Sequence, residues 1–421
     1  MGENEKKFII PEFGPLRGIK VLTAGSIVAM PHAANMMADF GAEVIQIERP
    51  KVGDTYRGMA PFAETNGKKV STSWAQDARN RLSFTLHLDL DIPEIQEIFF
   101  ALIRQADIFM ENLVWLEKYG IKDEVLLEIN PKLVIVHVSG YGNSQFGGNP
   151  EICQRASYDM IGQAYSGFLH LNGDQEPSVP IVAKPWVNDY ISALHAVFGA
   201  LAAYTHAQKT GNGQAVDIAQ FEANARIMSD TFVSFTEANV LRTRTGIKAA
   251  AFQPYGLFRD QYGEYVAIAA FGTAVYGRFI EALELDAQYF NFQDCASSLQ
   301  AVTSTKGKEL DERIAQWTAS RCAQDIVEHL ARFKVPCSKV NTAADIVNDP
   351  HWLARGDFIE YEDQTLQKTI TALGIVPKFQ KTPGTVWRGA PVLGQDTQTI
   401  LTHLLGYSDE QIESLRSQGL I

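Results

Sequence analysis

Ile19-Lys20-Val21-Leu22-Thr23-Ala24-Gly25-Ser26-Ile27-Val28-Ala29-Met30-Pro31, followed twelve residues on by Glu43-Val44-Ile45-Gln46-Ile47, decides the fold class. Ile19 to Leu22 is a short apolar run of strand length. Gly25 to Met30 is a loop, and Pro31 fits the first turn of a helix that runs to Phe40. Gly41 ends that helix, and Glu43 to Ile47 is a second strand. The alternation continues outward. Asp107 to Met110 reads as a strand, Asp123 to Ile129 as a helix, and Leu133 to Val138 as a strand apolar on both faces. Strands separated by helices at this interval predict an α/β chain with a doubly wound, mostly parallel sheet. At 421 residues the chain exceeds what one core usually organises, so more than one domain is expected.

Beyond Gly213 the texture changes. Gln214 to Ile218 is a strand that leads into a helix predicted from about Gln220 to Val240. Tyr255 to Phe258 and Glu264 to Ala270, joined through Tyr262-Gly263, predict a hairpin. Helices at Ala274–Leu283, Lys308–Ser320 and Ala323–Phe333 complete a smaller α+β region. The final helices are predicted at Thr397–Leu405 and Asp409–Gln418, with Ser408 and Gln411 forming a capping box. These readings divide the chain into 1–215 as the first part of a large domain, 216–245 as a linker helix, 246–340 as a small α+β domain, and 341–421 as a return segment completing the large one.

The bulk composition excludes several classes. With 46% apolar and 20% charged residues the chain is globular, and a net charge of −12 opposes a general nucleic-acid binder. Met1 to Lys7 is charged and followed by no apolar core, so no secretory signal is expected. Tyr190 to Ala207 is the longest apolar run, yet Ser192, His195, Tyr204, Thr205 and His206 interrupt it. It reads as a buried core helix and not a membrane span. Cys153, Cys295, Cys322 and Cys337 lack CxxC spacing, which predicts free thiols in a reducing cytoplasm and no metal site.

The candidate sites lie in loops. Gly25-Ser26-Ile27-Val28-Ala29-Met30 has one glycine where a dinucleotide fingerprint needs three, which argues against a nicotinamide enzyme. Arg49, Lys51 and Arg57 follow the second strand, where doubly wound sheets bind ligands, and read either as a phosphate handle or as a solvated loop. Asp189, in Trp186-Val187-Asn188-Asp189-Tyr190, precedes the most apolar helix. It reads either as a helix cap or as a carboxylate held anionic by the helix dipole and able to act as a nucleophile. Local sequence does not choose between them.

Several segments in order resemble family III CoA-transferases. They are Gly41-Ala42-Glu43-Val44-Ile45 with Arg49, Gly53-Asp54-Thr55-Tyr56-Arg57, Ala106-Asp107-Ile108-Phe109-Met110-Glu111-Asn112, Asn130-Pro131-Lys132-Leu133-Val134-Ile135 and Trp387-Arg388-Gly389-Ala390-Pro391-Val392-Leu393-Gly394. Pro377-Lys378-Phe379 ahead of Trp387 is most similar to the carnitine branch, with bile-acid CoA-transferases beside it. The resemblance implies a Rossmann-like large domain, an interlocked homodimer, and Asp189 as the nucleophile that carries CoA as an aspartyl thioester. It implies CoA or acyl-CoA as substrate with no permanently bound cofactor, no ATP and no metal. Arg49 falls on a position that contacts CoA phosphate, and Asn112 and Lys118 fall in a CoA-binding stretch. The chain departs from the family at Leu113-Val114-Trp115, where Phe-x-Pro-Gly is usual, and at Ser83-Phe84, where a Lys-Arg pair is common. Ser139 stands where the oxalate enzymes carry lysine, and their glycine-rich loop is not evident near Gln253-Pro254-Tyr255-Gly256, which argues against oxalate.

Carnitine-type betaines follow as the expected acids. A quaternary ammonium is recognised by aromatic faces at roughly 0.5–2 kcal/mol each, and Trp186 with Phe252 or Tyr255 are candidates. The same aromatics read equally as core packing or as the lining of a pocket for an apolar acid, and a bile acid would use them too. The same fold also serves α-methylacyl-CoA racemases, but those need a histidine where this chain has Tyr158-Asp159, and tyrosine is a poor neutral-pH base. A CoA-binding module without chemistry is the remaining alternative.

Overall fold

A computed structural model describes residues 6–113 and 116–421, so Val114 and Trp115 of the shortened segment and the charged residues 1–5 lie outside the described residues. Six strands form the central sheet: β1 (Lys20–Ala24), β2 (Glu43–Glu48), β3 (Leu82–Thr85), β4 (Ile108–Glu111), β5 (Val134–Ser139) and β6 (Gln214–Ala219). Their spatial order is β3-β2-β1-β4-β5-β6 and every neighbouring pair is parallel. That is the strand order of a doubly wound nucleotide-binding sheet, with its switch point between β1 and β4.

The register explains why the strands are apolar on both faces. Val44, Val21, Ile108 and Val134 sit side by side in one row, and Ile45, Leu22, Phe109 and Ile135 in the next. Successive side chains point to opposite faces, so the two rows feed two separate cores. The first row packs under α1 (Ala29–Asp39) and α5 (Val187–Thr210). The second packs under α2 (Pro93–Gln105) and α3 (Asp123–Ile129) and takes in Ile400, Leu401, Leu404, Ile412, Leu415 and Leu420 from the far end of the chain.

α5 is not the fully buried helix expected from its composition. Its buried stripe is made of small residues, Ala193, Ala196, Ala200, Ala203 and Ala207, spaced by three and four so that they share one face. Leu194 and Phe198, on other faces, are 54% and 75% exposed. Composition measures apolarity, whereas burial follows the face. The long helix predicted from Gln220 to Val240 is also two helices, α6 (Gln220–Arg226) and Thr231–Ala238. Ser229 between them has φ +54, a left-handed conformation that a continuous helix cannot contain. The structure adds strand β3 and helix α2 to the predicted elements, and it contains the expected Ser408–Gln411 capping box.

The chain divides into two compact units. One contains the residues up to Ser166, Lys184–Ser229 and Leu353–Ile421 and holds the parallel sheet. The other contains Gly167–Ala183 and Asp230–Trp352. In it Tyr255–Arg259, Tyr265–Ala269 and Cys337–Lys339 form an antiparallel sheet, and Phe258, Val266 and Ile268 pack against Phe279, Leu310, Ile314 and Ile326 of its helices. The four cysteines are free. Among the described residues no helix is long and apolar enough to cross a membrane, and no cluster of His, Cys, Asp or Glu is arranged to hold a metal ion.

Candidate active site

A cavity of about 420 Å³ lies at the carboxyl ends of β1, β4 and β5, lined among others by Ser26, Asn112, Ser139, Asp189 and Gln220. Chains that leave β1 and β4 in opposite directions open a crevice there, which is where open α/β sheets bind ligands. The two loops are fastened across it. Ser26 N donates to Asn112 Oδ1 at 2.9 Å, and Asn112 Nδ2 donates back to Ser26 O at 3.0 Å. This pair accounts for Gly25, since a Cβ there would lie 2.3 Å from Asn112 Oδ1. The single glycine of the first loop therefore makes room for an amide side chain, not for a pyrophosphate. Asp54 adds a second fastening by accepting Ile27 N at 2.9 Å, and so ties the loop after β2 to the cavity wall.

Asp189 stands at the third position of α5. Helix starts normally need a side-chain acceptor for their orphaned N–H groups. The cap residue here is Trp186, whose φ of +43 turns the chain sharply and whose indole accepts nothing. The acceptor comes from another helix, α4 (Asp159–Tyr165). Asp159 Oδ1 takes the N–H groups of Asn188 at 2.7 Å and Asp189 at 3.4 Å, and Oδ2 takes Gln163 Nε2 at 2.7 Å. The close approach depends on Gly162, where a Cβ would lie 2.1 Å from the Asn188 amide.

The Asp189 carboxylate is thereby released from capping. It is 8% exposed, lines the cavity, and its Oδ1 accepts Gln220 Nε2 at 2.5 Å. Burial, and then the neighbouring charge of Asp159, push its pKa up to about 7, against the Gln220 hydrogen bond, which pulls it down. A carboxylate in that state is more basic than an exposed one, and a substantial fraction is ionised near neutral pH.

Beneath the same cavity His137 bridges two carboxylates, with Nδ1 at 2.6 Å from Glu111 and Nε2 at 3.0 Å from Asp123. Burial opposes its charged form, but the bonds and charges of Asp123 and Glu111 outweigh that and hold its pKa up to about 10. Glu111 also accepts Leu113 N at 2.6 Å, and Asp123 accepts Gln145 Nε2 at 2.6 Å. The bridge thus links the loops that follow β4 and β5.

Of the residues nominated from sequence, Asp189 and Asn112 line this cavity together, and the others do not. Arg49 is exposed just beyond β2, with Lys51 exposed two residues later. Arg57 is already engaged: Nε and Nη2 each meet the Glu48 carboxylate at 2.7 Å, Nη1 donates to Pro391 O, and the guanidinium lies 3.8 Å from the Trp74 ring centre. Lys118 is exposed in the short turn Leu116–Tyr119. Trp186 is partly exposed at the start of α5. Tyr255 belongs to the other unit, where its ring meets Phe252 edge-on at 5.1 Å. Sequence reasoning missed Gln220 and the capping role of Asp159. Gln220 follows a strand of the parallel sheet at its carboxyl end, the same signal that nominated Arg49.

A family model described as CoA-transferase family III matches residues 16–397. The chain is 34% identical over 415 residues to the bile acid CoA-transferase BaiK of Clostridium scindens, covering 97% of this chain and 90% of that one. It is 33% identical over 418 residues to the L-carnitine CoA-transferase of Proteus mirabilis, covering 98% and 97%. A crystal structure of a CAIB/BAIF family protein from Brucella suis superposes with a TM-score of 0.79 at 25% identity, covering 93% of this chain and all of that one.

Proposed function

The chain belongs to CoA-transferase family III, and from that premise we propose that Asp189 is the nucleophile that carries CoA between two carboxylic acids. The observation that supports this reading is the division of labour at the start of α5. Asp159 caps the helix, so the Asp189 carboxylate is left facing a cavity at the switch point, with Oδ1 engaged by Gln220. Asp189 attacks the donor thioester to give a mixed anhydride and CoA thiolate. The thiolate returns to the aspartyl carbon, releases the first acid and leaves an aspartyl-CoA thioester. An acceptor carboxylate then runs the sequence backwards. Acyl activation is conserved at each stage, so the cycle needs no ATP.

Arg49, with Lys51 and Lys118, is the proposed hold on the CoA phosphates, and Asn112 shapes the crevice between them. Arg57 enters as a positioning residue, since its guanidinium is spent on Glu48 and Pro391 O. The proposed acids are carnitine-type betaines, with crotonobetainyl-CoA or γ-butyrobetainyl-CoA as donor and L-carnitine as acceptor. The 33% identity to an L-carnitine enzyme supports that choice. A bile acid is the second reading, favoured by the 34% identity to BaiK. A racemase is disfavoured because Asp159 is occupied by two backbone N–H groups and Gln163. The proposed assembly is an interlocked homodimer in the cytoplasm, with crossings near Gln220 and Trp352. The exposed Leu194 and Phe198 of α5 supply apolar surface for a partner to cover. A stable monomer at micromolar concentration in sedimentation would refute it.

The functional test is an ATP-free transfer assay with one acyl-CoA donor and a panel of acceptors: carnitine, crotonobetaine, short 2-hydroxy acids, bile acids and oxalate. CoA transfer to another acid but not to betaines would end the betaine assignment and keep the transferase. Trapping with hydroxylamine is expected to modify Asp189 alone. Full turnover in Asp189→Asn would end the mechanism.

A further inference from the structure

The two oxygens of Asp189 are held differently. Oδ1 accepts Gln220 Nε2 at 2.5 Å, while Oδ2 has no hydrogen-bond partner among the described residues. Gln220 is 6% exposed and lines the same cavity. Its place is fixed by the sheet: Ala219, the last residue of β6, pairs with Ser139 of β5, and Gln220 is the first residue beyond that register. Ala223 and Asn224, one turn further along α6, are buried and anchor the element from its other end.

We propose that Gln220 is a catalytic residue of the transfer, an inference that rests on Asp189 being the nucleophile. It holds Oδ1 as the spectator oxygen, leaves Oδ2 to attack, and donates to Oδ1 whenever that oxygen gains charge. In the first step Oδ2 adds to the thioester carbonyl, the C–S bond breaks, and CoA leaves as thiolate. The anhydride then joins Cγ of Asp189 to the acyl carbon through Oδ2. When the thiolate adds to Cγ, the electron pair of the carbonyl moves onto Oδ1, which already faces the Gln220 amide. Collapse of this adduct breaks the Cγ–Oδ2 bond, so the first acid departs with Oδ2 as one of its carboxylate oxygens. The aspartyl thioester keeps Oδ1. The acceptor next adds one oxygen to Cγ, again through an oxyanion on Oδ1, and thiolate is expelled. Thiolate attack on the acceptor carbonyl ends the cycle, leaving Asp189 with its original Oδ1 and one oxygen from the acceptor. No proton, oxidant or reductant enters the balance.

A donor set in advance at the atom where charge develops contributes about 100- to 1,000-fold to kcat. The same hydrogen bond makes a prediction about isotopes that a structural role for Gln220 would not. The enzyme is turned over with an acyl-CoA donor and an acceptor whose carboxylate carries oxygen-18 at both positions. Carnitine is used first, or else the acid that turns over in the acceptor panel. The reaction is quenched after a few tens of turnovers, and the peptide containing Asp189 is weighed. The expected result is the gain of a single heavy oxygen, with no rise beyond one. Two heavy oxygens would overturn the role of Gln220 while leaving Asp189 as nucleophile. No heavy oxygen despite transfer would overturn the nucleophile, and the role of Gln220 with it. Gln220→Met keeps the length of the side chain and removes the donor. It is expected to lose about 100- to 1,000-fold in kcat, to keep the KM for acyl-CoA within a few-fold, and to accumulate two labels because the carboxylate now rotates. Unchanged kcat with one label would overturn the proposal, and if this variant fails to fold, the labelling of the parent enzyme decides alone.

Discussion

Replacing Asp189 by asparagine is expected to stabilise the folded chain while ending transfer, and to do so in a pH-dependent way. The carboxyl has a pKa of about 7 in the folded protein against an ordinary value of 3.8. A raised carboxylate pKa means that the folded state binds the proton more tightly than the unfolded chain. Its favourable contribution is complete below pH 4 and is lost as pH rises to 7. Each unit corresponds to about 1.4 kcal/mol, so above neutrality the ionised carboxylate costs the fold about 4 kcal/mol. At pH 5 the same linkage gives only about 1.7 kcal/mol, because the folded form is then protonated. The asparagine amide has nearly the same shape, still offers Oδ1 to Gln220, and does not titrate. The stability difference between Asp189→Asn and the parent is therefore expected to be about 2.5 kcal/mol larger at pH 8 than at pH 5. Urea unfolding at the two pH values measures it, followed through the unit that carries α5. A difference that is the same at both pH values, or a variant less stable than the parent at pH 8, would refute the reasoning.

The remaining predictions concern ligand and rate. The kcat/KM of the parent is expected to fall as pH drops through about 7, because the attacking carboxylate must be ionised. Asp159→Asn keeps an oxygen acceptor for the N–H groups of α5 but removes the neighbouring charge, so the acidic limb should move to lower pH. An unmoved limb would show that the charge of Asp159 does not reach the site. Arg49→Ala is expected to weaken CoA binding by about 1.5–3 kcal/mol in calorimetric titration, with little change in thermal stability. Gly25→Ala places a Cβ 2.3 Å from Asn112 Oδ1. It should cost about 1–3 kcal/mol of stability and raise the KM for acyl-CoA together.

Much of the parallel sheet was legible because its central strands are apolar on both faces. Val44-Ile45 and Val134-Ile135 each feed two cores at once, and their strand length with the helices between them points to a parallel sheet. β3 was not legible for the opposite reason. Ser83 and Thr85 are polar, and their N–H groups are met by Asp396 and Thr397, more than 300 residues away. The same distance effect governs the site. As a cap and as a nucleophile Asp189 has the same local sequence, and the residue that separates the two readings, Asp159, lies thirty positions earlier. Arg57 read as a free cation until Glu48 and the Trp74 ring were placed around it. Gln220 carries no motif at all, and only the end of β6 brings it to Asp189.

The core that includes Leu22 and Ile45 is finished by Ile400, Leu401, Leu404, Ile412, Leu415 and Leu420, and His87 N bonds to Leu420 O at 2.7 Å. On the ribosome this means that one side of the sheet is covered only in part, by α2 and α3, when its strands are already made. The part from Asp230 onward is about 190 residues, and at roughly 5–20 residues per second its synthesis takes about 10–40 s. During that interval a row of Leu, Ile and Phe side chains on the sheet waits for partners not yet translated. The second unit, whose residues are nearly contiguous, is free to close first. The nascent chain therefore presents a long-lived apolar surface of the kind that holdase chaperones recognise, and its yield in a cell should respond to their supply more than its final stability would suggest.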